Sequence, residues 1–447
     1  MSALWSTDAQ ALDTALAHLH AKLDRVASAP SPAALVRLEA PFSVTHLPAW
    51  LDAQTLLPRL YWRSREAGSI AYAAVGAAHE VASLEELRAA LAQSGSTATD
   101  YFGGTAFDAA AASWTGFGAC RFVLPRVVVA VSTEKTTLAL NLRFDDTSRA
   151  LEIARARDVL AQLVAARPLP RWTPTAFERF DTPDRATWCR WVEEATTTNA
   201  LAQLPKVVLS RQTHLACIAP PSPWALLARW QARAPHCFHL GAQFTQEKTL
   251  IACSPERLYR REQRSLTSEA LAGTWPRWVR GHERRDTQAL LADAKNDGEN
   301  RWVQADIAKR LAPLATRLDV AQAEVVTLPS LYHLRRRINA TLTTDVDDTT
   351  LLKTLPPTPA VGGVPRDQAL AFIRAHESHA RGWYSGAFGR ISRNSSELAV
   401  TLRSALVNTK GIYLHAGAGI VAGSRPEAEW AELDHKIADI MALLGIA

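Results

Sequence analysis

The stretch Lys206-Val207-Val208-Leu209-Ser210-Arg211 (K-V-V-L-S-R) is followed along the chain by Ser254-Pro255-Glu256 and then by Leu271-Ala272-Gly273-Thr274. A strand-borne amine, a carboxyl and a glycine-containing loop thus succeed one another, and Pro205 suits the start of the strand that carries the amine. Successive strand residues alternate faces, so Lys206 shares a face with Val208 and Ser210 and can point into a pocket. A lysine in an apolar run equally suits an edge strand whose ammonium reaches solvent. Lys206 alone does not separate the two placements.

Downstream, residues 289–311 read as a helix in which Val303, Ile307 and Leu311 recur every four residues, with Glu299 one step earlier on the same row. A carboxylate there must be paired, metal-bound or protonated. Gly298 costs about 1 kcal/mol relative to alanine in a helix, which implies a close backbone approach or a break. A last helix follows A-G-A-G-I-V-A-G-S-R-P (416–426), with Ser424 and Glu427 at capping-box spacing and Pro426 in the first turn. Its core stripe is Trp430, Leu433, Ile437, Ile440 and Leu444, and Glu429, Glu432 and Lys436 run beside it. Glu432 and Lys436 suit an exposed ion pair worth a few tenths of a kcal/mol, or the edge of a metal site. Hard divalent cations take oxygen ligands, and magnesium uses one or two carboxylates plus an anionic substrate. In E-L-A-V-T-L-R (397–403) alternation places Ala399, Thr401 and Arg403 on one face, where Arg403 either meets a carboxylate ligand or faces solvent.

The 447 residues suffice for a large core, and 47% hydrophobic with 21% charged residues excludes a disordered or fibrous chain. No apolar run approaches a membrane span, and M-S-A-L-W-S-T-D lacks a basic region followed by an apolar one, so a cytoplasmic enzyme without a membrane is expected. Five cysteines without a C-x-x-C pair point to reduced core residues. The net charge of +6 is spread among acids, with Arg335-Arg336-Arg337 the longest basic run, which favours an anionic small molecule over nucleic acid. Residues 9–24 have helical spacing, and 57–76 and 117–144 are strand-rich. Prolines 168, 170, 174 and 183 mark a candidate boundary near 167–184.

The motif order closely resembles that of the chorismate-utilising enzymes, and among them the isochorismate synthases, over residues 185–447. It is carried by K-V-V-L-S-R (206–211), C-S-P-E-R-L (253–258), A-L-A-G-T-W-P-R (270–277), K-N-D-G-E-N (295–300), Y-H-L (332–334), P-T-P-A-V-G-G-V-P (357–365), R-G-W-Y-S-G (381–386), T-L-R-S-A-L (401–406) and A-G-A-G-I-V (416–421). Y-W-R-S-R (61–65) and F-G-G-T-A-F (102–107) extend a weaker likeness into residues 1–184.

By this resemblance Lys206 is the general base that activates water for attack at C2 of chorismate, and Glu256 protonates the departing C4 hydroxyl. Burial is expected to leave both groups neutral. Glu299 and Glu432 are implied ligands of Mg2+, with Glu429 close by through its water shell and Asn296 at a position that is often acidic. Gly273 and Thr274 resemble a loop whose amides and hydroxyl contact substrate. Tyr384, Arg403, Gly417, Gly419 and Lys436 match positions around the enolpyruvyl carboxylate, and His333 a histidine near the reacting ring edge.

The resemblance implies an α+β fold, a single large domain (1–447) of two antiparallel β-sheets in a sandwich flanked by helices, with 167–184 a crossing within it. Anthranilate-forming relatives lack the lysine at 206, and aminodeoxychorismate synthases carry a nucleophilic lysine where Ala272 stands. The pairing here therefore implies water as nucleophile and no glutamine amidotransferase subunit. Salicylate synthases, which also eliminate pyruvate, share it and remain the alternative; a non-catalytic chorismate sensor is a second. A monomer or weak dimer is expected, and the product could feed menaquinone, siderophore or salicylate formation. Trp278, Pro356 and Ala387-Phe388 depart from the family's usual residues without removing a reacting group.

Overall fold

Strand Cys120–Val131, rich in β-branched valine, is where the sheet divides. In the computed structural model, which describes residues 2–29, 33–93, 99–111, 114–144, 148–172, 177–197, 202–279, 283–284, 286–327 and 331–446, one edge of this strand pairs with Ala71–Val81. The other edge is shared: Val127–Val131 pair with residues 136–140, and residues 120–123 pair with Phe102–Thr105. Two antiparallel limbs diverge from this point. The first runs from Ala71–Val81 through Arg59–Arg63, Phe238–Thr245, Lys248–Ser254, Ser404–Asn408 and Gly411–Val421 to Lys206–Ala216, with Glu178–Thr182 beyond it. The second runs from Tyr101–Thr105 through Ala387–Ile391, Ser395–Val400, Arg257–Glu262 and Ser265–Pro276 to Leu331–Leu342.

The two expected sheets are therefore limbs of one hydrogen-bonded network, twenty strands among the described residues. The strand-rich readings of 57–76 and 117–144 hold, as does the first helix, Ser2–Ser28. N-terminal strands are built into both limbs, so the proline-rich passage separates no independent sheet.

The chain passes between the limbs at two adjacent crossings. One is Ser254-Pro255-Glu256-Arg257, leaving Lys248–Ser254 and entering Arg257–Glu262. The other is Thr401-Leu402-Arg403, between Ser395–Val400 and Ser404–Asn408. Backbone bonds stitch them together: Val400 N donates to Glu256 O at 3.1 Å and Cys253 N to Arg403 O at 3.1 Å. Strand alternation consequently ends at Val400, and Arg403 has a left-handed φ of 46°, so it does not share a strand face with Ala399 and Thr401 as the sequence pattern suggests.

Helix Ala294–Leu311 packs on strand Ser265–Pro276, and helix Pro426–Leu443 on Gly411–Val421. The row Val303, Ile307 and Leu311 is buried, as is the stripe Leu433, Ile437, Ile440 and Leu444. The expected 289–311 helix is instead two, Thr287–Leu291 and Ala294–Leu311, because Asp293 caps the second through Asn296 N at 2.8 Å. The break lies before Gly298, not at it, and a Cβ there would meet nothing within 4 Å. Gly298→Ala should accordingly stabilise the protein by about 0.5–1 kcal/mol, read as a raised denaturant midpoint at unchanged slope. The capping box at Ser424 is also not formed: Arg425 is the N-cap, and Ser424 Oγ accepts from Val421 N at 3.2 Å.

All five cysteines are free; Cys237 and Cys253 are buried, whereas Cys120, Cys189 and Cys217 are half-buried rather than core residues. No described helix is long and apolar enough to cross a membrane.

Candidate active site

The Lys206–Ala216 strand is interior, not an edge: Lys206 lies opposite Val421 on one side and Val364 on the other. Its side chain is 0% exposed, and Nζ donates to Glu299 Oε1 at 2.9 Å. Burial is as complete as the resemblance implies, but the amine also has a carboxylate partner. Burial opposes ionisation of Glu299, yet the charge and hydrogen bond of Lys206 hold its carboxyl below the usual range.

The cavity beside this pair lies between the limbs. It is lined by Glu256, Gly273, Thr274, Glu299, His333, Tyr384, Arg403, Gly417, Gly419, Glu432 and Lys436, which the sequence singles out. Lys206 stands directly behind Glu299, and Glu429 is buried outside the lining. Glu256 sits on the first crossing, 2% exposed. Burial, reinforced by the charge of Glu269, pushes its carboxyl up to about 8 against the opposing charges of Lys206, Arg65 and Lys436. A carboxyl so placed carries its proton at neutral pH and can donate it.

Gly273 has a φ of 82° at a register shift in strand Ser265–Pro276, and a Cβ on it would lie 2.9 Å from Asn296 O. The Glu299 helix thus makes a close backbone approach at this glycine. Thr274 N donates to Asn296 Oδ1 at 3.0 Å, so this amide is engaged within the protein instead of facing a ligand. Thr274 Oγ1 is 3.0 Å from His333 Nδ1. Burial and then the charges of Arg403 and Lys436 push His333 well below its ordinary range, leaving a neutral ring at the cavity wall.

On the opposite wall Lys436 Nζ donates to Glu432 Oε1 at 2.7 Å and to Gly417 O at 2.7 Å. The expected ion pair forms, but it faces the cavity. Burial opposes the ammonium, yet the Glu432 charge holds Lys436 above its ordinary range. A Cβ on Gly417 would stand 2.9 Å from the Tyr384 hydroxyl, and one on Gly419 would stand 2.8 Å from Glu299 Oε1 and 3.3 Å from Lys206 Cε. Gly419→Ala should therefore displace Glu299 from Lys206 and reduce turnover at least about tenfold, with an unchanged circular dichroism spectrum. Arg403 reaches the cavity from the second crossing, with Nη1 3.3 Å from Asp439 Oδ2.

His415 is a lining residue that strand spacing did not reveal; its ring stacks on Tyr384 at 5.1 Å. The cis bond Pro356–Pro357 lies at the departure at Pro356, whereas the side chain of Trp278 lies outside the described residues.

Among the described residues no three His, Cys, Asp or Glu side chains converge as a ligand cluster. Glu299 and Glu432 are instead engaged by Lys206 and Lys436. Glu429 is buried, and that burial together with the Glu432 charge raises its carboxyl. The three carboxylates form an oxygen-only donor set of the kind a hard divalent cation takes, and each has a lysine within 4.0 Å, Lys206 at Glu299, Lys295 at Glu429 and Lys436 at Glu432, whose place such a cation would take.

Residues 21–445 match the family described as chorismate binding enzyme. The chain is 37% identical to isochorismate synthase MenF of Escherichia coli over 403 residues, 89% of this chain and 90% of the relative. It is 32% identical over 423 residues to the salicylate biosynthesis isochorismate synthase of Pseudomonas aeruginosa, 89% of this chain and 86% of the relative. The solved structure of MenF, the menaquinone-specific isochorismate synthase from Escherichia coli, superposes with a TM-score of 0.87 at 35% identity, covering 97% of this chain and 100% of that one.

Proposed function

Since the chain belongs to the chorismate binding enzyme family, we propose that it converts chorismate to isochorismate by adding water at C2 and expelling the C4 hydroxyl. The observation that carries this reading is Glu256, a buried carboxyl raised to about 8, on the wall of a cavity that also meets the Lys206–Glu299 pair.

Lys206 acts in its unprotonated form, after giving up the proton with which it holds Glu299, and accepts a proton from the attacking water as the new C2–oxygen bond forms. Both ring double bonds shift, C1=C2 to C1=C6 and C5=C6 to C4=C5, the C4–oxygen bond breaks, and Glu256 gives its proton to the departing hydroxyl, which leaves as water. One water enters and one leaves, so the reaction is an isomerisation. Arg403, Lys436 and the Tyr384 hydroxyl cradle the enolpyruvyl carboxylate beside Gly417 and Gly419. Neutral His333, fixed by Thr274, donates or accepts a hydrogen bond at the ring edge without adding charge. Glu299 and Glu432, with Glu429 behind them, would hold Mg2+, which when bound offsets the charge of the substrate's ring carboxylate. Ala272 offers no amine at the loop, which favours water over an enzyme-bound nucleophile. The same reading takes residues 1–447 as one chorismate-utilising domain in the cytoplasm.

Purified protein incubated with chorismate and magnesium should yield isochorismate, identified by chromatography. Salicylate and pyruvate accumulating in equal amounts would replace this reading with a two-step synthase, and chorismate bound but unconverted would replace it with a sensor.

A further inference from the structure

Tyr61-Trp62-Arg63-Ser64-Arg65 ends on an arginine that reaches the crossing at Glu256 from behind. Arg65 is 8% exposed and grips Glu269, 2% exposed, through both terminal nitrogens. Its Nη1 also donates to the carbonyl of Pro255, and Glu269 Oε1 accepts from Arg257 N at 2.8 Å. The peptide groups on either side of Glu256 are thus held by one arginine–carboxylate pair. Glu256 itself is fixed through N to Ser254 Oγ at 3.3 Å and through O to Val400 N.

We propose that Arg65 and Glu269 are positioning residues for Glu256: they clamp both flanking peptide groups and set a buried negative charge behind its carboxyl. The inference rests on the assignment of Glu256 as general acid. Two buried carboxylates near one another normally share the burden of neutralisation, and either can take the proton. Here the environments differ. Burial opposes ionisation of Glu269, but the charge and fork of Arg65 and the Arg257 amide hold it below the usual range. The proton therefore resides on Glu256, for which Glu269 is a like charge that cannot be relieved.

The other charges facing Glu256 are Lys206 from the first limb, Lys436 from the last helix and Arg65 itself, all opposing. Glu299, Glu432, Arg403, His333 and Tyr384 share its cavity. Glu66 and Glu397 hold the Nη2 of Arg257 at 2.6 and 2.8 Å, so its side chain acts on Glu269 through its charge alone, and Arg335 Nη1 stands 3.8 Å from Glu269 Oε2.

The test is a titration of Glu256 in Glu269→Gln and Glu269→Asp. The protonated carboxyl is followed by its infrared carbonyl band, identified by its loss in Glu256→Gln. Glu269→Gln keeps an acceptor for Arg257 N but removes the charge, so the midpoint should fall by at least about one pH unit, and the alkaline limb of kcat/KM should fall with it. Glu269→Asp keeps the charge and shortens the reach; its midpoint should stay near that of the parent while kcat falls and KM changes little. An unmoved midpoint in Glu269→Gln, or an equal fall in Glu269→Asp, overturns the proposal. Arg65→Lys, which keeps a cation but loses the fork, should lower kcat at least about tenfold at near-constant KM; an unchanged kcat would likewise overturn it. The infrared titration needs no turnover, so activity surviving in Glu256→Gln would overturn the acid assignment while the band still reported on the pair.

Discussion

Glu256→Gln is expected to lower kcat by about 10²–10⁴-fold, the range by which a positioned general acid accelerates proton transfer. The amide has the shape of the carboxyl and carries no transferable acidic proton, so chorismate should still bind, which quenching of tryptophan fluorescence can follow. The parent enzyme should lose activity as pH rises through about 8, where Glu256 gives up its proton, and Glu256→Gln should lack that limb. Stability follows the same group. The folded state keeps the Glu256 proton up to about 8, whereas an unfolded glutamate releases it near its ordinary value of 4.5. Between these values the folded form binds more protons, so the contribution of this group to stability falls as pH rises. Glu256→Gln removes that dependence, and its unfolding free energy should gain on the parent's between pH 5 and 9, by a margin on the order of a few kcal/mol. Full activity in the variant, or parallel melting profiles, would dismiss the acid assignment.

Lys206→Ala is expected to reduce turnover by a comparable about 10²–10⁴-fold, since no other amine approaches Glu299 from the same strand. The fold should persist. Removing one partner of a buried pair costs about 3–5 kcal/mol when the other charge is stranded, but Glu299 is 21% exposed toward the cavity and can regain water. A loss well below that range is therefore expected, measured by calorimetry. Isochorismate formation at the parent rate in Lys206→Ala would remove the lysine from the chemistry.

Much of this site is readable from residue order because its parts lie on regular elements. Alternation places Lys206 on the face of Val208, and helical spacing places Glu299 with Val303 and Lys436 beside Ile437. Features that depend on non-local geometry were not readable in that way. Arg403 enters the cavity from a left-handed crossing, which no period anticipates. Asp293 caps a helix where apolar spacing runs on, and Gly298 then has no packing reason that spacing could betray. Glu269 lies between Ser268 and Ala270 in its strand and acquires its role only when Arg65, distant in sequence, arrives beside it. Likewise, the union of two sheets through Cys120–Val131 depends on one strand edge being shared between two partners.

The paired crossings also fix the direction of traffic. Where Ser254–Arg257 and Thr401–Arg403 tie the limbs together, the walls cannot part without breaking the backbone bonds around Glu256. Among the charged groups of the lining, those on the two helices are the more exposed, 21% at Glu299, 24% at Lys436 and 32% at Glu432, against 2% at Glu256 on the seam. The cavity is thus most open on the helical side, and the acid stands at its enclosed end. A substrate entering from the more exposed side would meet Glu432, Lys436 and Glu299 before the proton donor, which the seam holds in place.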